Sequence, residues 1–481
     1  MNEQTQPPSG PESSAPSTES HDPAVPEAYA AFMRTGWGER ELDLPPHPVA
    51  EYAEARRARL AEMFPGERLV LPAGTYKVRA NDTDYRFRPD TAHTYFSGNQ
   101  TSDAVLVIEN GSDGVGESVL YARPRASRET DEFFRDRQYG ELWAGRRPSL
   151  GEMSDSLGLE VRHLDDLPAR LQGGGKTRVH RGHDARVDAL VAADETLDTD
   201  FTRVVSELRL IKDEWEIGEL TEACDITTLG FEDSVREWDR VLEFGERWIE
   251  GTFFRRARAM GNDIGYDSIV GGGAHATTLH WIDNTGPIRP GELVLLDMGV
   301  EGRNLYTADV TRTLPVDGTF TPIQRDLYDL VFAAQQAGIE AVRPGAAFLA
   351  AHHAAMEVLA HGLADLGLLP ISAEEALDPE SKLYARWTLH GTSHMLGMDV
   401  HDCGSASVDI YPKGDLEEGM VLTVEPGLYF QEDDLLVPEE LRGIGIRIED
   451  DIVVTQDGWL NLSAALPRTS TEVEEWMGAR R

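Results

Sequence analysis

Four carboxylates and one imidazole in the C-terminal part of the chain carry the chemistry this sequence can do: Asp297, Asp309, Glu425, Glu449 and His394. Asp297 closes the apolar run Leu293, Val294, Leu295, Leu296 and so ends a buried strand. Asp309 falls within residues 305–314, where a period of two places Thr307, Asp309 and Thr311 on one face. Glu425 ends a strand-like stretch stopped by Pro426 and Gly427. In residues 443–451, Ile444, Ile446 and Ile448 face one way and Arg447 and Glu449 the other. Acids at the core ends of strands lose solvation and repel one another, so the cluster calls for cations, and two divalent ions meet that need. Oxygen donors dominate and thiolates are absent, which favours Mn²⁺ over Zn²⁺, with Co²⁺ as a substitute. With 85 acidic residues in the chain, any single Asp or Glu is a solvated charge by default. The joint ordering of these four with His394 sets them apart.

A chain of 481 residues is long for one core, and two folded domains are expected. Residues 1–47 are rich in Pro, Ser, Glu and Gly and read as a disordered extension. Residues 48–205 read as a smaller α/β domain. Its first helix carries Tyr52, Arg56, Leu60 and Met63 at helical spacing, and strands are expected at 68–71, 104–108 and 118–121. Trp143 reads as core packing beside a surface pair, Arg146 and Arg147. The run GGGKT at 173–177 suggests a phosphate loop, but the first glycine that motif requires falls at Arg170, so it reads as a flexible loop.

Residues 206–481 form the second, α+β domain. Asp213 with Glu216 suits a capping box, and Ile217, Leu220, Cys224 and Thr227 continue one helical face. Further helices are predicted at 231–250, 322–342 and 346–366. Strands at 293–297, 305–314, 421–425 and 444–455 would make a curved sheet, in which two hairpins each contribute two carboxylates. That division suggests pseudo-symmetric halves.

The formal charge of −40 argues against nucleic-acid binding, which needs a basic footprint. Only two cysteines occur, Cys224 and Cys403, so no disulfide framework is expected. No leader-like apolar segment and no apolar run of membrane-spanning length stand out, and a cytoplasmic, membrane-free protein is expected.

Four blocks now gain a common meaning: residues 295–313 (LLDMGVEGRNLYTADVTRT), 390–402 (HGTSHMLGMDVHD), 423–429 (TVEPGLY) and 443–451 (GIGIRIEDD). They resemble the metal-binding motifs of the pita-bread metallopeptidases of family M24. Within that family the resemblance is to aminopeptidase P, with prolidase next. Residues 95–108 (YFSGNQTSDAVLVI) and 141–147 (ELWAGRR) resemble the aminopeptidase P side. The two aspartates stand twelve positions apart, one more than is usual in the family, an insertion that a turn or bulge at 299–304 would absorb.

The resemblance implies a smaller N-terminal α/β domain followed by a pita-bread domain with a curved, mainly antiparallel sheet. It implies metal ligation by Asp297, Asp309, His394, Glu425 and Glu449. A metal-bridging water or hydroxide would be the nucleophile, with Glu425 taking its proton. His390 and His401, beside the ligand His394, would touch the substrate or transition state, and His280 matches a third substrate histidine. Arg447 would neutralise carboxylate charge or bind the substrate backbone, and Thr311 would orient Asp309. The expected activity is release of the N-terminal residue from peptides with proline second, by a homo-oligomer, dimer or tetramer. Two alternatives stand beside it: a prolidase limited to Xaa-Pro dipeptides, and a catalytically inactive peptide-binding module on the same fold.

Overall fold

The computed structural model describes residues 25–38, 41–111, 116–173 and 175–481. Its N-terminal part is built on a mixed five-stranded sheet in the order Glu160–His163, Gly116–Ala122, Val105–Asn110, Arg68–Pro72, Thr177–Val179. The inner pairings are antiparallel and the two outer ones parallel. The three middle strands are the ones the apolar runs predict. The outer strands are short and carry Glu, Arg, His or Thr, so no apolar run announced them. The last of them grows out of the glycine-rich stretch, where Lys176 pairs with Glu67 at 2.7 Å. Trp143, expected in the core, is exposed, and its indole N–H donates to the Phe134 carbonyl.

The expected disorder of residues 1–47 needs correction in part. Residues 1–24 lie outside the described residues, but Glu27–Met33 forms a helix. Ala30 packs with Phe133 and Phe134, and Tyr29 meets Phe134 edge-on. The averaged composition of the extension concealed this local apolar stripe.

The C-terminal part carries the long helices Glu214–Arg236, Glu246–Met260, Pro322–Ala341 and Ala350–Asp365 around an antiparallel core. The helix expected across 231–250 is instead three: the first stops at Arg236, Trp238–Phe244 follows, and Gly245, at φ +76°, turns the chain into the third. Leu293–Met298 lies between Ile269–Gly272 and Val310–Pro315. Val421–Val424 pairs with Asp450–Thr455, which pairs with Gly458–Asn461, and Gly427–Phe430 pairs with Ile444–Arg447. The continuous strand predicted over 444–455 is therefore two strands interrupted at Ile448 and Glu449. The N–H of Glu449 leaves its own ladder and donates to the Thr311 carbonyl at 3.1 Å, which joins the two halves of the open sheet.

The two parts share a core. Leu60, Phe96 and Leu106 from the first pack in one cluster with Leu220, Cys224, Tyr306 and Met398 from the second. The boundary expected at 205/206 falls inside the helix Glu195–Leu208. The capping box at Asp213 and Glu216 is present, and Arg56 reaches across to it. The buried Arg56 guanidinium lies 2.6 Å from Asp213 and 3.2 Å from Glu216, donates to the Tyr95 carbonyl, and sits 4.2 Å from the Tyr95 ring centre. Removing one partner of a buried pair strands the other's charge. Arg56→Ala is therefore expected to lower stability by about 3 kcal/mol, the low end of the range for broken buried pairs, because Asp213 keeps some exposure to water. Denaturant unfolding checks this; a loss within about 0.5 kcal/mol, as for an ordinary surface substitution, would refute it.

Candidate active site

The hairpin of Leu293–Met298 and Val310–Pro315 sets the first two acids. Asp297 pairs with Thr311 and Met298 with Val310. The pairing continues without a slip: Ala308 N–H donates to the Val300 carbonyl, Glu301 bridges to Thr307, and Gly302 N–H donates to the Tyr306 carbonyl. The extra residue between the aspartates is thus taken up at the tip of the turn, where Leu305 adopts φ +69°, and not by a bulge. Because side chains alternate along a strand, Asp309 shares a face with Thr311 and so with Asp297 opposite it.

The other three come from the second half. Glu425 follows Val421–Val424, and its N–H donates to the Thr392 carbonyl at 2.8 Å. Thr423 grips the same loop twice, its N–H donating to the His394 carbonyl and its Oγ1 accepting the His394 N–H. These bonds fix His394 beside the strand end. Glu449 projects from the interruption between its two strands.

The nine residues expected to bind metal or substrate line one cavity of about 610 Å³: Asp297, Asp309, His394, Glu425 and Glu449, with His280, His390, His401 and Arg447. His394 Nε2 lies 3.3 Å from Asp309 and 3.6 Å from Glu425. Asp309, His394 and Glu449 each bring a donor atom within 4.8 Å of the others. Thr311 lies beside Glu449 and not Asp309: its Oγ1 donates to Glu449 Oε2 at 2.6 Å. The His401 ring meets His394 edge-on at 4.4 Å between centres. His280 and His401 are exposed at the cavity mouth, while His390 is largely covered.

Arg447 is 3 % exposed and donates to Asp297 at 2.5 Å, to Tyr429 at 2.9 Å and to Thr311 at 3.1 Å. Its charge is held against the acids. The Tyr429 hydroxyl lies 2.8 Å from His390 Nε2, and His390 Nδ1 lies 2.9 Å from the Gly391 carbonyl. Burial, reinforced by Arg447, brings His390 down to about 3, so its ring is neutral. The bonds then run in one direction: Arg447 to the Tyr429 oxygen, Tyr429 O–H to His390 Nε2, and His390 Nδ1–H to Gly391.

Burial also governs the acids. It raises Asp297, with Asp309 adding to the rise and Arg447 opposing it. It raises Glu449 well above the usual carboxylate range, with Asp309 and Glu425 adding to it. Burial, with Asp309 and Asp297 beside it, pushes Glu425 up to about 7 against His394 and Arg447. For His394 burial works against the charge, but Asp309 and Glu425 outweigh it and raise the ring to about 9. One arginine and one histidine do not balance this much buried negative charge. Hard carboxylate oxygens with a single imidazole fit divalent cations.

Several residues that build the site gave no signal in the sequence. Tyr266 donates to Asp297 at 2.6 Å. Tyr411 lines the cavity and its hydroxyl accepts the Met395 N–H. Glu246, fully buried, accepts bonds from Gly272 N, His275, Trp281 and Gly286 N, and so shapes the loop that carries His280. Each lies on an element remote in sequence from the acids.

The sequence model of metallopeptidase family M24 matches residues 218–456, and that of the aminopeptidase P N-terminal domain matches residues 53–180. Xaa-Pro aminopeptidase 1 of Streptomyces coelicolor is 54 % identical over 461 residues, which cover 95 % of this chain and 93 % of that protein. The Xaa-Pro aminopeptidase of Escherichia coli is 34 % identical over 451 residues, 90 % of this chain and 98 % of its own. The solved structure of aminopeptidase P from E. coli with the inhibitor Pro-Leu superposes with a TM-score of 0.80 at 31 % identity, covering 90 % of this chain and 99 % of that one. With the carboxylate-rich cavity, the two domain matches and identity spanning nearly the whole chain, this protein belongs to metallopeptidase family M24, among the Xaa-Pro aminopeptidases.

Proposed function

We propose that the chain is a Xaa-Pro aminopeptidase that releases the N-terminal residue from peptides with proline in second position, using two divalent ions, Mn²⁺ above all. The observation that carries this reading is the convergence of four carboxylates, His394, two exposed histidines and a neutral third in one cavity. Asp297, Asp309, His394, Glu425 and Glu449 would hold the metals, which when bound supply Lewis acidity and a water that is nucleophilic at neutral pH. Glu425 would take a proton from the attacking water and return it to the departing proline nitrogen. His280 and His401 stand at the mouth where the scissile carbonyl would lie, and can donate to the charge that develops on its oxygen. A prolyl nitrogen offers no N–H, so the pocket must grip by shape and by the carbonyls around it. Leu279, Ile282 and Val400 supply an apolar wall.

His401 also lines a second cavity, about 630 Å³ in volume. The same proposal takes residues 48–205 as the N-terminal domain and 206–481 as the catalytic one, assembled as a dimer or tetramer. A cytoplasmic setting is supported by two unpaired, buried cysteines. Among the described residues no helix is long and apolar enough to cross a membrane.

Chelation is expected to abolish hydrolysis, and Mn²⁺ to restore it better than Mg²⁺. Undiminished turnover after metal removal, checked by elemental analysis, would refute the metal-dependent mechanism. Tripeptides with proline second are expected to lose their first residue, while the alanine counterparts react far more slowly. Cleavage of Xaa-Pro dipeptides alone would identify a prolidase instead.

Metal binding and chemistry separate in two variants. Asp309→Asn keeps the shape but removes a charged ligand, so metal content and activity are expected to fall together. His401→Ala leaves all five ligands in place. It is expected to keep near-normal metal content and to lose at least about tenfold in turnover, within what a lost catalytic hydrogen bond typically costs. A stable, metal-loaded His401→Ala enzyme with unchanged turnover would remove His401 from the mechanism.

A further inference from the structure

We propose that Asp90, His180 and His183 form a binding site for one divalent transition-metal ion, Zn²⁺ above all, on the wall of the cavity between the two parts of the chain. This site is separate from the carboxylate cluster and does not rest on the peptidase reading.

The three residues come from two places that the fold brings together. Asp90 immediately precedes the helix Thr91–Ser97 and caps it: Oδ1 accepts the His93 N–H at 2.9 Å, which leaves Oδ2 to face the imidazoles. His180 follows the strand Thr177–Val179 and continues its pairing, its N–H donating to the Val70 carbonyl. Gly182, at φ +89°, turns the chain so that the His183 ring stacks on that of His180, 4.5 Å between centres and 17° between planes. The glycine permits this turn without the strain a side chain would bring.

The separations fit a metal better than they fit hydrogen bonds. Asp90 Oδ2 lies 3.5 Å from His180 Nε2 and 3.3 Å from His183 Nδ1, beyond the usual N–H···O range. Four ligands at about 2.0–2.1 Å from a tetrahedral ion stand about 3.3 Å apart. The three donor atoms all lie within 4.8 Å of one another. His180 Nδ1 is 3.2 Å from Thr202 Oγ1, the kind of partner that fixes the tautomer of a ligating histidine and leaves Nε2 with its lone pair.

Two imidazoles and one carboxylate, without further acids, make a borderline donor set that favours Zn²⁺ or Co²⁺ over Mn²⁺ and Mg²⁺. Lys77 also lines the cavity, but the other cations near the site are already engaged: Arg88 pairs with Glu301, Arg181 with Asp198, and Arg209 with Asp402 and Asp399. They therefore do not oppose a dication at full strength. All three residues line the cavity of about 630 Å³ whose wall also includes Gly74, Phe87, Asp399 and His401, so a fourth ligand would come from that space. Three protein ligands and one open position give a site whose ion can exchange.

Zn²⁺ binding to the metal-stripped full chain, followed by equilibrium dialysis, tests this by difference. The wild type is expected to bind one more Zn²⁺ per chain than His183→Gln, or to bind that ion at least about tenfold more tightly, whatever the carboxylate cluster takes up. His183 is exposed, and a variant that melts like the wild type in Zn²⁺-free buffer makes the comparison valid. Equal stoichiometry and affinity in the two proteins would overturn the proposal. Anomalous diffraction from wild-type crystals soaked in Zn²⁺ tests it without any variant: a peak between Asp90, His180 and His183 supports the site, and its absence there overturns it.

Discussion

The structure is organised around buried negative charge. Asp297, Asp309, Glu425 and Glu449 point into one cavity at positions where water cannot solvate them fully. A carboxylate in such a place either gains positive partners or becomes protonated. Arg447 and His394 provide part of the compensation, and burial still raises Glu449 and Glu425. The remaining imbalance is what makes the cavity a cation site. The helices packed around the sheet, the shared core and the loops all serve to keep these groups together.

Strand alternation is how one short sequence distributes its acids. Glu449, Asp450 and Asp451 are consecutive and almost fully buried. Glu449 faces the cavity. Asp450 turns the other way, to Arg312 at 2.7 Å, Gln335 at 2.8 Å and Ser463. Asp451 returns toward the site, where it accepts the Asp309 N–H at 3.0 Å and the Cys224 thiol at 3.2 Å. Asp451 thus fixes the backbone of one candidate ligand from behind, and Asp450 neutralises Arg312 without competing for the cavity. A register slip of one residue would exchange these roles, so the break at Ile448 and Glu449 has to be where it is.

Much of this was legible because it is local. Apolar runs ending in an acid placed Asp297 and Glu425, the period of two placed Asp309 with Thr311, and the capping box at Asp213 needed only Glu216 three residues later. The less legible parts depend on contacts across the fold. Residues 444–455 alternate as if they were one strand, and only the Thr311 carbonyl explains why the ladder breaks at Glu449. Tyr266 and Glu246 are single residues on unrelated segments, with nothing beside them to mark a role. Glu27–Met33 was hidden because its neighbours are polar, although its own stripe is not.

Arg447 shows how charge and orientation become one problem. Its three donor contacts tie Asp297, Thr311 and Tyr429 into a single arrangement, and Thr311 passes the restraint on to Glu449. Tyr429 passes it to His390, whose ring is thereby held in one tautomer. A lysine could supply the same charge, but not three diverging N–H directions in a rigid plane. The guanidinium therefore both offsets the carboxylates and sets the direction in which the adjoining hydroxyl and imidazole present their protons. Among side chains this deeply buried, where each misdirected dipole weighs heavily, that fixed direction is what turns a cluster of acids into a site with one defined geometry.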